Sequence, residues 1–207
     1  MARVNVNPNR MELSKLKKRL VVAKRGHKLL KDKQDALIKA FLEKARAVKA
    51  TRENVEADLV SCYRSFLMAR AQTLPAMLEQ ALMISGSTCS LAVTERNVMS
   101  VIVPEYEVHQ EGNTFNYGMA TTPASLDVAL EDFSKIILKL LQLAADEKAV
   151  ALMSSEIERT RRRVNALEHV MIPNYAETIK YISMKLEEQE RSNTSRLMKV
   201  KEIVSAH

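Results

Sequence analysis

The sequence predicts a mainly α protein: its N- and C-terminal arms pair as a long antiparallel two-helix coiled coil, and the middle of the chain forms a small β-hairpin region. Three observations predict this. The 207 residues include only 4 Gly, 5 Pro and no Trp, while 46% are hydrophobic, a balance that favours long regular elements. The breakers are also segregated. Between Pro8 and Pro75 stands only Gly26; Gly86, Gly112 and Gly118 fall in the middle; after Pro123 only Pro173 interrupts. Finally, the hydrophobic period changes from helical in the arms to alternating in the middle. The expected division is an N-terminal coiled-coil arm at 8–84, a β-hairpin and loop region at 85–121, and a C-terminal coiled-coil arm at 122–204.

In the first arm, Leu13, Leu16, Leu20, Ala23, His27, Leu30, Gln34, Leu37 and Phe41 alternate steps of three and four, the seam of a left-handed coiled coil. The seam continues as Ala45, Val48, Val55, Leu59, Cys62, Phe66 and Ala69, after a register change near Lys44 and with Arg52 as a polar interruption. Two starts are open: Asn7 with Pro8 at the first helical position, or Asn9 with Glu12 three residues on as a capping box.

The second arm has a matching start in Thr122 and Pro123. Its last third carries the seam Ile172, Tyr175, Ile179, Ile182, Leu186, Gln189, Asn193, Arg196, Val200 and Ile203. The late polar members imply weaker pairing near the terminus, or packing there by something other than the partner helix. Each arm is roughly 75 to 80 residues, on the order of 110 Å if unbroken at about 1.5 Å per residue. Such helices need a partner, and equal arms around a compact middle make the simplest pairing intramolecular and antiparallel. Pro75 and Pro173 should each kink or interrupt an arm, because each removes a helical hydrogen bond.

In the middle, Cys89, Leu91 and Val93 alternate with Ser90, Ala92 and Thr94, and Val98 to Val103 is rich in β-branched residues. The expectation is one hairpin with Glu95, Arg96 and Asn97 between its strands, ended by Pro104. Residues 105–121 are polar, with a turn at Glu111, Gly112 and Asn113, and form either a second short hairpin or a loop.

The formal net charge of +7 favours an acidic partner of some kind and selects no function. Cys62 and Cys89 form no CxxC or Cys/His cluster, so neither a disulfide framework nor a zinc site is implied, and a reduced cytosolic setting fits. The N-terminus lacks the apolar core of a signal peptide, and IILKLLQLAA at 136–145 is short and interrupted by Lys139, so direct membrane insertion is not expected. No phosphate-binding glycine motif occurs, His27, His109, His169 and His207 are scattered, and His27 sits on the seam as a packing residue. No active site, metal site or cofactor is expected. Aromatics at 4% and interleaved acids argue against nucleic acid.

The stretch EIERTRRRVNALEHV at 156–170 sets three arginines side by side. On a helix they fan around the surface at about 100° per residue, while Ile157 and Val164 hold the seam. Arg162 can pair with Glu158, but Arg163 sits four residues after Arg159, a like-charge contact costing about 0.2 to 0.5 kcal/mol. Either the face is simply solvated, or the guanidinium groups form a collar meeting acidic residues or carbonyls of an enclosing protein. The same choice applies to Lys24, Arg25, Lys28, Lys31 and Lys33. Met68, Met77, Met83 and Met99 are either core filler or an adaptable docking surface.

The segments NPNRMELSKLKKRLVVAKRGHKLLKDKQDALI at 7–38 and EIERTRRRVNALEHVMIPNYAETIKYISMKLEEQE at 156–190, followed by RLMKVK at 196–201, closely resemble the two signature regions of the D subunits of V-type and A-type rotary ATPases. His169 stands where many members of that family carry Tyr. The short end after Lys201 looks like the prokaryotic form. The resemblance implies a non-catalytic central rotor shaft, peripheral on the cytoplasmic side of a membrane-bound complex, coupling ATP hydrolysis or synthesis to translocation of H⁺ or Na⁺. It implies paired termini inside a ring of A and B subunits, with Arg25, Lys28, Lys31, Lys33, Arg161, Arg162 and Arg163 as ring-facing candidates. It also implies a hairpin end near the small F subunit and the funnel-shaped subunit above the membrane ring, with Val93, Val98, Met99 and Val101 as candidates at that distal tip. Two other classes share features: a prefoldin-like chaperone, whose subunits are generally shorter and do not need the RGHKLLKDK and RRRVNALE motifs, and a basic coiled-coil nucleic-acid binder.

Overall fold

A computed structural model describes residues 6–83, 86–118 and 122–205. The expected fold class is the one observed. A long N-terminal helix, α1 (Arg10–Gln72), is followed by a short helix, α2 (Pro75–Leu82), and a two-stranded sheet of β1 (Ser87–Val98) and β2 (Val101–Gly112). The C-terminal arm is α3 (Ala124–Ala166), a π-helical turn (Leu167–Met171) and α4 (Ile172–Ser205). The expected boundaries at 84/85 and 121/122 fall on residues 84, 85 and 121, and His207 at the terminus; all lie outside the described residues. The chain divides into two compact units, Met1–Ala36 with Ile157–His207, and Leu37–Glu156.

In the first unit, the two possible starts of α1 resolve in favour of Asn9. Its side-chain oxygen accepts the Glu12 N–H at 2.7 Å, satisfying one of the orphan donors of the first turn. Cross-helix pairs fix the direction: Arg10 pairs with Glu190, and His27 Nε2 lies 3.3 Å from Glu168 Oε2, so the partner number falls as the first rises. The pairing is antiparallel. Its seam buries Leu16, Thr160, Val164, Thr178 and Ile182. Thr178 tolerates burial because its hydroxyl donates to the Asn174 carbonyl at 2.7 Å.

Pro173 acts more gently than expected. The arm stays helical, but the turn before the proline widens to π geometry, with the Ile172 N–H donating to the Leu167 carbonyl. A proline supplies no N–H to the carbonyl four residues back and its ring crowds that carbonyl; the wider turn relieves the crowding without breaking the rod. Pro75 does interrupt its arm. α1 ends at Gln72, and α2 begins with Pro75 in its first turn, where a missing N–H costs nothing.

In the second unit, α1 contributes Leu37, Val55, Cys62 and Ala69, and α3 contributes Leu126, Ala129, Ile136, Leu143, Ala145, Ala149 and Met153. Antiparallel pairing recurs in Lys44 with Asp146 at 2.8 Å, Lys139 with Asp58 at 2.6 Å, and Ser125 donating to Gln72 at 2.8 Å. Leu59, expected on the seam, is 40% exposed, whereas Arg52 is the expected polar interruption and bridges Glu56 and Glu147. Leu78 of α2 packs with Ala69 and Leu126, closing the ends of α1 and α3.

The hairpin is longer than the sequence suggested. Glu95, Arg96 and Asn97 lie within β1, and the turn is Met99–Ser100, both at positive φ as a two-residue type I′ turn requires. Ser100 N–H donates to Asn97 Oδ1 at 2.8 Å, which helps hold that costly backbone. Pro104 does not end the strand. The pair closing a two-residue turn, Val98 with Val101, is hydrogen-bonded, and pairs alternate from there, so Pro104 opposite Glu95 falls at a non-hydrogen-bonded site and loses no ladder bond. Of the two alternatives left for 105–121, neither a second hairpin nor a loop forms over 105–112: β2 runs on to Gly112, whose φ of 103° only glycine adopts readily and whose missing Cβ leaves room for the Gly86 carbonyl.

Candidate partner-binding surfaces

Antiparallel pairing in the first unit brings the two basic stretches to one level. His27 opposite Glu168 sets the register, so Lys28, Lys31 and Lys33 ascend α1 beside the turns of α3 that carry Arg161, Arg162 and Arg163. Arg25, Lys28, Lys31 and all three arginines are exposed, and Lys33 is half-buried. Arg162 pairs with Glu158 as its spacing predicts. Two clusters distant in sequence thus make one basic belt around the helix pair.

Beyond Glu190, α4 continues without a helical partner among the described residues, because α1 begins at Arg10. Every residue from Glu187 to Ser205 is exposed, so the late part of the expected seam, from Gln189 to Ile203, is not buried. This overhang extends on the order of 20 Å past the last pair at about 1.5 Å per residue. It carries Leu197 at 69%, Met198, Val200, Ile203 and Val204 at 70% exposure. The sequence signal was the pairing of polar seam positions with apolar residues off the seam, such as Leu197 and Val204, which a heptad reading discounts.

Of the hairpin candidates, Val93 and Met99 are exposed, Val98 is half-buried and Val101 is buried against the rest of its unit. Gln110 donates to Ser134 of α3 at 2.7 Å. Nearer the turn, Arg96, Val98, Val103 and Tyr106 face Ala40, Lys44, Ala149 and Met153 across a groove of about 460 Å³. The hairpin therefore lies back along α1 and α3, and α2 forms the end of this unit. Leu74, Met77, Leu82 and Met83 stand exposed there, and Met68 is exposed on α1, so the methionines named from sequence are surface residues.

The titrating groups suit structure better than chemistry. Burial pushes the Cys62 thiol up, with Asp132 adding to the shift, and that thiol donates to the Ala129 carbonyl. Burial, then its hydrogen bond to Asp127, raises the Tyr117 hydroxyl far above its ordinary range. Among the described residues no group of His, Cys, Asp and Glu could hold a metal ion, and no helix is long and apolar enough to cross a membrane.

Similarity to known proteins runs nearly the whole length of the chain. The family of ATP synthase D subunits matches residues 12–202. The V-type ATP synthase D subunit of Thermoanaerobacter sp. (strain X514) is 53% identical over 206 residues, covering 99% of both chains. Its counterpart from Clostridioides difficile (strain 630) is 54% identical over 207 residues, covering 99% of this chain and 93% of its own. That from Acetivibrio thermocellus is 52% identical over 208 residues, covering 99% of this chain and 94% of its own. Identity at this level, sustained from end to end across both signature regions, means that the chain belongs to the family of ATP synthase D subunits.

Proposed function

We propose that the chain is the central rotor shaft of a V-type ATP synthase, coupling ATP turnover in a ring of A and B subunits to ion translocation across the membrane, and that it supplies no catalytic residue itself. The overhang of α4 carries this reading. A single helix with Leu197, Val200 and Val204 on its surface is costly in water and becomes favourable when it enters an apolar collar. The 8–84 and 122–204 arms form the shaft, and the belt of Arg25, Lys28, Lys31, Lys33 and Arg161–Arg163 meets the ring where it encloses the helix pair. The 85–121 region, with Val93, Val98, Met99 and Val101, and the apolar end around α2 serve the small F subunit and the funnel-shaped subunit. The complex then holds this chain peripherally, on the cytoplasmic side.

The coupling needs no chemistry in the shaft. An asymmetric rod inside a pseudo-threefold ring touches each catalytic interface differently, so its angle and the nucleotide state of each interface bias one another reciprocally. The test is direct: in a complex whose catalytic head is fixed to a surface, a bead is attached through Ser100→Cys, with Cys89→Ser removing the other exposed thiol. ATP should drive the bead in one direction. A stationary bead on a complex that still hydrolyses ATP would overturn the shaft assignment.

A further inference from the structure

The two edges of the hairpin differ in a way that the shaft reading does not use. The edge of β2 is guarded: it carries Pro104, and Glu105, Glu107 and Glu111 stand exposed along it. The edge of β1 has no such device. From Thr88 to Thr94 it contains neither a charge nor a proline, every residue is exposed, and twelve consecutive pairs run without a bulge. Among the described residues β1 pairs on one side only. The type I′ turn fixes which backbone groups face outward. With Val98 and Val101 as a hydrogen-bonded pair, Ala92 and Thr94 point their N–H and C=O at β2, whereas Leu91, Val93 and Glu95 point theirs away from it.

We propose that β1 is a docking edge, on which an extended segment of another subunit of the complex adds as a third strand. Main-chain hydrogen bonds to Leu91 and Val93 give the segment its hold, and side chains set its identity. Leu91, 44% exposed, and Val93, 57% exposed, share one face of the strand and call for apolar residues at alternate positions of the partner. On the other face, Ser90 and Thr94 neighbour His109 and Glu105, with Glu107 beside them, so the intervening partner positions suit Lys or Arg. The occupant is thus a strand alternating apolar and basic residues. A second copy of this chain fits worse, since it would bring together two chains of net charge +7. The proposal rests on the reading that the chain works within a multisubunit ATP synthase, because that supplies the partner.

Residue-resolved amide hydrogen exchange tests this on the isolated chain and on the intact complex purified through it. Alone, the amides of Ala92 and Thr94 should exchange slowly and those of Leu91 and Val93 fast. In the complex, Leu91 and Val93 should slow by at least about tenfold, since edge amides gain partners only there. Val93→Pro, which removes an outward N–H, should abolish the new protection, and Val93→Thr, which keeps it, should not. If the complex forms and the amides of Leu91 and Val93 exchange as they do in the isolated chain, the docking edge is refuted whatever the variants do. Protection of the same amides in the isolated chain, together with a concentration-dependent dimer in sedimentation, would replace the partner strand by a second copy. Recovery of no ATP synthase subunit with the chain would instead overturn the functional reading, and this inference with it.

Discussion

Ile182→Ala and Leu197→Ala separate what holds the helix pair together from what it offers to a partner. Ile182 is fully buried, whereas Leu197 is 69% exposed on the overhang. Truncating Ile182 removes three carbons, about 2.4 kcal/mol of transfer free energy at roughly 0.8 per methylene. A cavity contribution adds to this, but a two-helix seam is open to solvent on both flanks, so it partly refills. The expected loss is therefore about 3 kcal/mol, in the lower half of the usual range for such truncations. For a chain of this size that lowers Tm by about 6 to 12 °C. Leu197→Ala should change the stability of the isolated chain by less than about 0.5 kcal/mol.

Thermal unfolding of the isolated chain followed by circular dichroism reads both. ATP-driven ion pumping by the complex should then fall with Leu197→Ala although the chain itself is unchanged. A Tm drop below about 2 °C for Ile182→Ala, or an equal drop for both variants, would refute the assignment of seam and overhang.

Four further outcomes are expected. Reversing Arg161, Arg162 and Arg163 together to Glu should leave the isolated chain near its original Tm, because the exposed pair with Glu158 turns into a like-charge contact while the like-charge contact with Arg159 turns into a pair, each about 0.2 to 0.5 kcal/mol and opposite in sign; in the complex it should lower ions pumped per ATP, and unchanged pumping would remove the belt from the mechanism. Gly112→Ala places a Cβ against the Gly86 carbonyl at φ 103°, so it should cost roughly 1 to 3 kcal/mol locally and speed exchange of the β2 amides, with the helices unaffected in circular dichroism. Cys89 should react with a thiol reagent near neutral pH while Cys62 stays inert until denaturant is added. A folded pKa raised by burial also means that Cys62 contributes stability below its ordinary pKa and loses it as pH climbs through the raised one, so alkaline pH should lower Tm more in the native chain than in Cys62→Ala.

The helical arms were legible because their signal is written in spacing alone. From Leu13 to Phe41 every expected seam residue is buried or half-buried, as are Ile172, Tyr175, Ile179, Ile182 and Leu186. The hairpin turn was not legible. Type I′ turns announce themselves through Asn or Gly at positive φ, and this one uses Met99 and Ser100, so the polar run Glu95–Asn97 looked like the better turn. Pro104 misled for a related reason: its harmlessness depends on pairing parity, which is fixed only once the turn is known. The π turn before Pro173 and the basic belt both depend on which residues lie opposite each other, and heptad spacing within one arm does not specify that.

The overhang accounts for the polar members late in the C-terminal seam. A heptad is a contract between two helices, and it lapses where one of them stops. α1 begins at Arg10, opposite Glu190, and beyond that point selection on pairing no longer acts on α4, so Asn193 and Arg196 occupy seam positions at no cost. What replaces the seam is not a uniformly polar surface. Leu197, Met198, Val200, Ile203 and Val204 return within the last three turns, all more than half exposed. The helix there is only a continuation of α4, so its nucleation is already met, but those side chains contribute nothing to folding. Five large apolar residues on one unpaired helix end lower solubility unless something covers them, and lowered solubility without compensation is disfavoured. Their presence where pairing has ended is therefore better explained by a surrounding partner than by the coiled coil. Replacing Leu197, Val200 and Val204 by Ser should leave the Tm of the isolated chain within about 1 °C and reduce its self-association, while the complex holds the chain less tightly; a fall in Tm comparable to that of Ile182→Ala would mean that the overhang packs within the chain after all.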